Sequence, residues 1–239
     1  MSQVEGRNPV LEALRAGAEI NKIFVQRQSG GSLKHIYDAA KQAGVVLVET
    51  DRKNLDNMSE GRPHQGVIAH ISVEEYVDLD ELIVRSKMSP HPLLVVTDHI
   101  EDPHNLGAIL RSSLAAGAQG VIIPKRRSAA LSPAVSKASA GASAHLPVSR
   151  VANIAQTVVK LQESGYWIVG AEAGGENLFQ TKLSGPLAVV VGSEGQGVSR
   201  LVREKCDLLV EIPMQGPLGS LNASVALSVV LFEIVRQRL

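Results

Sequence analysis

Two uninterrupted apolar runs constrain the fold of this chain more than any other feature. Residues 93–97 read Leu-Leu-Val-Val-Thr, and residues 187–191 read Leu-Ala-Val-Val-Val. A strand with one solvated face alternates apolar and polar residues, so runs without alternation are typical of strands buried on both faces of a parallel sheet. Helical patterns and shorter apolar runs alternate through the rest of this half of the chain. It is therefore predicted to fold as a Rossmann-like α/β layer structure.

The first part of the chain shows a separate and smaller α/β pattern, which ends with a predicted strand at residues 66–71. The stretch that follows is polar, and residues 86–92 suit neither the helical nor the strand period. Such a segment is typical of a connection between domains. We expect an N-terminal domain at residues 1–75, a linker at residues 76–92 and a C-terminal domain at residues 93–239.

Composition narrows the possible functions. The 24 basic residues equal the 24 acidic ones, so no global positive field would attract RNA, which would have to be held by a local patch or by shape. The single cysteine, Cys206, cannot form an internal disulfide or, alone, a structural zinc site. The chain shows neither a signal-like apolar segment at its start nor an apolar stretch of membrane-spanning length. We expect a cytoplasmic protein with no metal and no membrane partner.

A first polar cassette, residues 102–112, follows the first apolar run and reads Asp-Pro-His-Asn-Leu-Gly-Ala-Ile-Leu-Arg-Ser. It lies at the predicted end of a strand, where open α/β sheets bind ligands. Arg111 would share a helix face with small neighbours, which leaves it free to meet a large ligand. Alternatively, Asn105 only caps the helix and Arg111 is a solvated charge. Spacing alone leaves both interpretations open.

Two glycine-rich loops form the second and third cassettes. Residues 192–198 place Glu194 between glycines after the second apolar run, where its carboxylate can accept from a ligand or simply occupy an exposed turn. Residues 212–226 lead from a strand into the last helix, where Ser220 and Asn222 can face a substrate. Alternatively, Ser220 caps that helix and Asn222 only occupies its first turn. Neither a Walker lysine nor a G-x-G-x-x-G is present, so ATP and NAD lack their usual signatures.

Taken in order, the three cassettes resemble the motifs of the SpoU (TrmH-like) branch of the SPOUT RNA 2'-O-ribose methyltransferases. The likeness extends through residues 139–142 and covers residues 93–239. The first 75 residues are similar to the small L30e-type RNA-binding domain of the bacterial 23S rRNA guanosine-2'-O-methyltransferases, through residues 6–10 and 64–69. The basic run after the strand at residues 120–123 can bind an RNA backbone or form an ordinary solvated loop.

The resemblance implies a C-terminal domain tied in a deep trefoil knot and a homodimer in which Arg111 faces the cofactor pocket of the partner. It further implies S-adenosylmethionine as the cofactor. The cofactor would be held largely by backbone around five positions: Gly192, Ile212, Leu221, Met214 and Ala171.

The resemblance also assigns the catalytic roles. Arg111 would grip the phosphate of the target nucleotide as a guanidinium that does not deprotonate. Four residues would orient the ribose, the base and Arg111: Asn105, Glu194, Ser220 and Asn222. Four basic residues are candidates for RNA contacts: Arg7, Lys125, Arg126 and Arg127.

The implied substrate is a guanosine in the peptidyl-transferase P-loop of 23S rRNA, free or in a pre-50S particle. Within the family, a tRNA guanosine or a 23S rRNA adenosine of the antibiotic-resistance type remains an alternative. Outside enzymes of this family, the alternatives are a non-catalytic ribosome-assembly factor that binds rRNA and a nicotinamide-dependent small-molecule enzyme, which the missing G-x-G-x-x-G argues against.

Overall fold

The computed structural model describes residues 3–27, 33–72, 75–217 and 219–239. Residues 28–32 of the predicted N-terminal domain and Leu218 of the third cassette therefore lie outside the described residues. The chain divides into two compact units. The first comprises Met1–Glu75 with Leu131–Pro133, and the second comprises Tyr76–Ala130 with Ala134–Leu239.

The first unit contains a four-stranded mixed sheet with helices. Its elements in chain order are β1 (Gln3–Glu5), α1 (Arg7–Arg15), β2 (Ile20–Gln26), α2 (Lys34–Gln42), β3 (Leu47–Thr50), α3 (Arg52–Met58) and β4 (Val67–Ile71). The strand order is β1-β4-β2-β3, in which β2 and β3 are parallel and the other pairs antiparallel. Val10 of α1, Ile36 of α2 and Ile23 of β2 are fully buried together, so both helices cover one core.

The remaining elements form a six-stranded sheet with helices. They are α4 (Leu79–Ser86), β5 (Leu93–Thr97), α5 (Pro103–Ala115), β6 (Gly120–Pro124), α6 (Pro133–Ala138), β7 (Val148–Val151), α7 (Ile154–Glu163), β8 (Trp167–Asn177), β9 (Leu187–Val191), α8 (Arg200–Arg203), β10 (Leu208–Glu211) and α9 (Ala223–Arg238). The strand order is β10-β8-β9-β5-β6-β7, and every neighbouring pair is parallel. All residues of β5 and β9 are buried, as their uninterrupted apolar sequences predict. The predicted α/β fold class is confirmed.

Residues 76–92 differ from the predicted linker, because α4 lies within them. Asp78 caps this helix by accepting the N–H of Asp80 at 2.8 Å. Leu82 and Ile83 are buried in the core of the second unit. A helix of only eight residues with polar flanks presents too few apolar positions for its period to be recognised in the sequence.

The parallel arrangement determines where a site can form. The carboxyl ends of β5, β8, β9 and β10 lie at one edge of the sheet, and the chain changes direction there through the three polar cassettes. Among the residues described, no helix is both long and apolar enough to cross a membrane.

Candidate functional site

A pocket of about 530 Å³ opens at the carboxyl edge of the six-stranded sheet. This volume falls in the range of small-molecule sites. It is lined by residues 171–173 within β8, by the ends of β9 and β10 with the segments that follow them, and by the first turns of α9. All five residues predicted to hold the cofactor line this pocket: Ala171, Gly192, Ile212, Met214 and Leu221.

The loop after β9 is folded tightly enough that glycine is required at position 192. The N–H of Gly197 donates to the carbonyl of Ser193 at 2.8 Å, which closes the turn. A Cβ on Gly192 would lie 2.0 Å from the carbonyl carbon and oxygen of Gly197. Only glycine permits this approach, and it leaves loop backbone exposed to the pocket.

A hydrogen-bonded network joins three of the predicted catalytic residues. The amide Nδ2 of Asn105 donates to Oε1 of Glu194 at 3.2 Å. Asn222 donates through Nδ2 to Oδ1 of Asn105 at 2.9 Å and to the same carboxylate oxygen of Glu194. Residues from three distant parts of the chain thus converge on the wall of the pocket, to which Glu194 contributes directly.

The structure decides between the alternative roles of the helix-capping candidates. Asp102, not Asn105, caps α5, since its carboxylate accepts the N–H of His104 at 2.9 Å. Asn222, not Ser220, caps α9, since its Oδ1 accepts the N–H of Ser224 at 2.9 Å. Ser220 instead lines the pocket. Asn222 therefore serves as a cap and as a member of the network.

Arg111 lies apart from the pocket of its own chain. Arg111 is six positions after Asn105, which on an α-helix corresponds to about 9 Å along the axis and about 120° around it. Its side chain is exposed and makes no hydrogen bond or ion pair with any residue that the structure describes. A free guanidinium on an exposed helix face remains available to a ligand or a partner.

The candidate RNA contacts lie outside the pocket lining. Arg7 opens α1 and donates through Nε to the carbonyl of Gln65 at 3.2 Å. The basic run follows β6, where Lys125 is half-buried and Arg126 and Arg127 are exposed. These groups are positioned on loops and helix ends, where they are accessible to a phosphate backbone.

Acidic residues that the sequence interpretation missed also line the pocket. Glu172 follows the apolar part of β8, and Glu211 ends β10. With Glu194 they give the lining three carboxylates, whereas no lysine or arginine lines it among the described residues. Each of the three carboxylates follows an apolar run in the sequence, and this position could have identified them. Only Glu194 was recognised, because it lies between glycines. An acidic lining favours a ligand with positive charge.

Neither catalysis by a cysteine nucleophile nor metal binding is supported by the described residues. Burial, together with the carboxylates of Asp207, Asp98 and Glu172, raises the pKa of Cys206 to about 12, so the thiol is a poor nucleophile near neutral pH. Within the described part of the chain, His, Cys, Asp and Glu side chains form no group able to hold a metal ion. What the site offers is a network of amides and a carboxylate beside exposed loop backbone, which suits binding and orientation.

Two family models match the chain. The SpoU rRNA Methylase family matches residues 92–232. A model described as RNA 2'-O ribose methyltransferase substrate binding matches residues 3–77. The two matches together span most of both compact units.

Individual proteins agree with the family models. A Staphylococcus saprophyticus protein named as a TrmH family tRNA/rRNA methyltransferase is 45% identical over 98% of this chain and 95% of its own length. The SpoU methyltransferase AviRb from Streptomyces viridochromogenes, solved in complex with AdoMet, is 26% identical with a TM-score of 0.62 and covers 99% of this chain and 89% of its own. An AdoMet-bound rRNA methyltransferase from Sinorhizobium meliloti shares the fold at 23% identity, with a TM-score of 0.61 over 99% of this chain and 87% of its own.

Proposed function

The chain belongs to the SpoU rRNA Methylase family of RNA methyltransferases, and from that premise we propose that it transfers a methyl group from S-adenosylmethionine to the 2'-hydroxyl of a guanosine in 23S rRNA. One observation carries the proposal: the five positions expected to hold the cofactor, drawn from strand β8 and from the two glycine-rich loops, line a single pocket beside the Asn105–Glu194–Asn222 network.

The properties of the pocket support S-adenosylmethionine as its ligand. The cofactor carries a sulfonium and an ammonium group, and the pocket is lined by three carboxylates. The close-packed loop after Gly192 exposes backbone groups that can hydrogen-bond the adenine and the ribose hydroxyls. The knotted path of the chain through these loops, implied by the family resemblance, is part of this proposal. When bound, the cofactor supplies an electrophilic methyl group.

The role proposed for Arg111 follows from its chemistry and its location. A guanidinium stays protonated at neutral pH, so it does not act as the base that removes the 2'-hydroxyl proton. Its two parallel N–H groups instead hold the phosphate of the target nucleotide in a fixed orientation. A phosphate oxygen or a water molecule receives the proton. Orientation of the hydroxyl in line with the methyl group is then the main catalytic contribution.

The network around Glu194 orients the target nucleotide. Asn105 and Asn222 both donate to Oε1 of Glu194, which leaves Oε2 without a protein donor among the described residues. That oxygen can accept from the N1–H and N2–H of a guanine. Ser220, exposed on the pocket lining, offers a hydroxyl to the ribose. If a Glu194→Gln variant kept the methylation rate and the preference for guanosine, this role of Glu194 would be refuted.

A homodimer explains why Arg111 lies away from its own pocket. Helices α5 and α9 pack against each other, and Ser228 of α9 donates to Ser112 of α5 at 2.7 Å. Val225 and Phe232 of α9 lie exposed on that helix, 48% and 50% accessible. Apolar side chains exposed next to α5 suit a subunit interface, which would bring Arg111 to the pocket of the partner.

The first compact unit is proposed to select the RNA. The family model for substrate binding matches it over residues 3–77. Arg7 in this unit, and Lys125, Arg126 and Arg127 after β6, are proposed to contact the RNA backbone. The sequence Asp-Pro-His-Asn at residues 102–105, in the first motif, favours 23S rRNA, free or in a pre-50S particle, over tRNA as the substrate. Such a substrate places the enzyme in the cytoplasm.

Nucleoside mass spectrometry tests the proposed reaction. Unmodified 23S rRNA, bulk tRNA and pre-50S particles are incubated separately with the protein and S-adenosylmethionine, with Arg111→Ala as the inactive control. We expect 2'-O-methylguanosine in 23S rRNA only. A product in tRNA, or at an adenosine, would keep the family chemistry and replace the substrate. No product on either RNA or on pre-50S particles, despite S-adenosylmethionine binding, would support the non-catalytic assembly factor instead.

A further inference from the structure

The loop at residues 192–198 is closed at its base by one buried aspartate. Asp98 follows β5, and its N–H donates to the carbonyl of Val191, the last residue before the loop, at 2.8 Å. Its Oδ2 accepts the N–H of Ser199, the first residue after the loop, also at 2.8 Å. Asp98 therefore binds both the departing and the returning backbone.

The environment of Asp98 makes this contact specific. The residue is only 2% exposed, and its second oxygen, Oδ1, lies 2.9 Å from Nδ1 of His99. A carboxylate buried to this degree is costly unless hydrogen bonds satisfy it. Its two oxygens are both engaged, one by the loop and one by His99, so the side chain has a single well-defined position.

A second carboxylate holds the loop from the other side. Oε2 of Glu172, on β8, accepts the N–H of Val198 at 2.8 Å. Gly197, the neighbour of Val198, has a φ of +62°, and a Cβ there would lie 2.6 Å from both carboxylate oxygens. Glycine at position 197 therefore allows the left-handed backbone conformation and leaves room for the carboxylate of Glu172.

The sheet order explains why two carboxylates reach one loop. Strands β5 and β8 flank β9 on its two sides, and the loop continues from the carboxyl end of β9. The consecutive N–H groups of Val198 and Ser199 therefore donate to Glu172 on β8 and to Asp98 directly after β5. Val198 is itself buried in the core between them.

We infer that Asp98 and Glu172 are positioning residues, which hold the loop of residues 192–198 in the shape that binds the cofactor and presents Glu194 to the substrate. This inference rests on the proposed function for the identity of the cofactor. The two carboxylates, Asp98 and Glu172, form a clamp that acts in the free protein. The loop is therefore ordered before the ligand arrives, and no binding free energy is spent on ordering it. Loss of either acceptor leaves a backbone N–H unsatisfied and opens the loop.

Four variants and one matched control separate the hydrogen bonds from other effects. Asp98→Ala and Glu172→Ala remove the acceptors, whereas Asp98→Asn and Glu172→Gln keep an acceptor oxygen and remove the charge. Asp207→Ala is the control, because Asp207 accepts the N–H of Ile168 at 2.8 Å near the amino end of β8. Each full-length protein is studied by thermal unfolding, by amide hydrogen exchange without ligand and by calorimetric titration with S-adenosylmethionine.

We expect both alanine variants to exchange the amides of residues 192–199 faster and to bind S-adenosylmethionine roughly tenfold more weakly, as the loss of one hydrogen bond to a charged group predicts. The asparagine and glutamine variants should recover most of the protection from exchange. Asp98→Asn should also recover most of the affinity, because Asp98, unlike Glu172, does not line the pocket. Asp207→Ala should lower the melting temperature and leave the loop and the affinity unchanged. Since Glu172 is half-exposed, its alanine variant should fold even if that of Asp98 does not.

The outcomes distinguish failure of the inference from failure of the proposed function. Unchanged loop exchange in Glu172→Ala, or loop exchange in the asparagine and glutamine variants as fast as in the alanine variants, would overturn the inference. Faster loop exchange in a protein whose wild-type form does not bind S-adenosylmethionine would support the clamp and refute the proposed cofactor.

Discussion

At the scale of the single residue, Asn222 couples the last helix to the pocket. Its Oδ1 accepts the N–H of Ser224 at 2.9 Å and thereby caps α9, while its Nδ2 donates to Asn105 and Glu194. One side chain thus contributes its acceptor to stability and its donor to the site. The two contributions can be separated because an aspartate has the same shape but only acceptors.

The variant Asn222→Asp should therefore keep the helix cap and lose the network. Its carboxylate still accepts from Ser224, but it places a second negative charge beside Glu194. We expect a melting temperature near that of the wild type, with RNA methylation reduced roughly tenfold or more, because a bond to a charged group is lost. Asn222→Ala should lower both quantities. Equal loss of stability in the two variants would contradict the separation.

Arg111 allows a second test at this scale. Arg111→Lys keeps the positive charge but loses the planar pair of N–H donors that holds a phosphate through two bonds. Since Arg111 is exposed and bonded to no described residue, the fold should not change. We expect single-turnover methylation to fall roughly tenfold or more, as for a lost charge-assisted bond. Near-normal turnover would show that charge alone is sufficient.

At the scale of secondary-structure elements, α9 closes the second unit through a buried charge at its C-terminal end. Glu233 is 6% exposed, and Arg236 donates to it through Nε at 2.9 Å and Nη2 at 2.8 Å. Gln237 donates to the same carboxylate at 2.7 Å and also to the carbonyl of Thr181. These bonds tie the helix to the segment that precedes β9.

The pH dependence of stability should report this cluster. Hydrogen bonds from Arg236 and then from Gln237 lower the pKa of Glu233 to about 2, below the usual value of about 4.3. A lowered pKa in the folded state means that the stabilisation is fully present above the unfolded value and is lost as the pH falls from there toward 2. Urea unfolding should show Glu233→Gln less stable than the wild type at pH 7, with the difference shrinking by pH 3. A constant difference would exclude this cause.

The elements differ in how far sequence predicts them, for physical reasons. Strands β5 and β9 are recognisable because burial on both faces requires an uninterrupted apolar run. Helix α4 is not, since a short helix buries only a few of its residues. The positions lining the pocket followed from the ordered motifs, whereas Asp98 and Glu172 were missed because their partners are backbone N–H groups remote in sequence.

At the scale of the whole molecule, the position of Arg111 on α5 raises the question of whether one chain or two make the proposed site. Asn105 at the start of α5 meets Glu194 and Asn222 of its own chain. Arg111 lies about 120° further around the same helix, on a different face. The proposed dimer resolves this separation by pairing the pocket of each chain with Arg111 of its partner.

Mixing inactive variants tests this pairing directly. If Arg111 acts in the partner's site, then Arg111→Ala and Glu194→Ala, each inactive alone, form mixed dimers with one intact and one doubly defective site. Subunit exchange at equal concentrations should therefore restore about a quarter of the wild-type sites, since half of the dimers are mixed. A mixture of Asn222→Ala and Glu194→Ala should restore nothing, because both changes lie in one pocket network of a single chain. Methylation is measured after exchange, with dimer mass checked by sedimentation. If the first mixture regains no more activity than the second, Arg111 works within its own chain and the two-chain site is refuted.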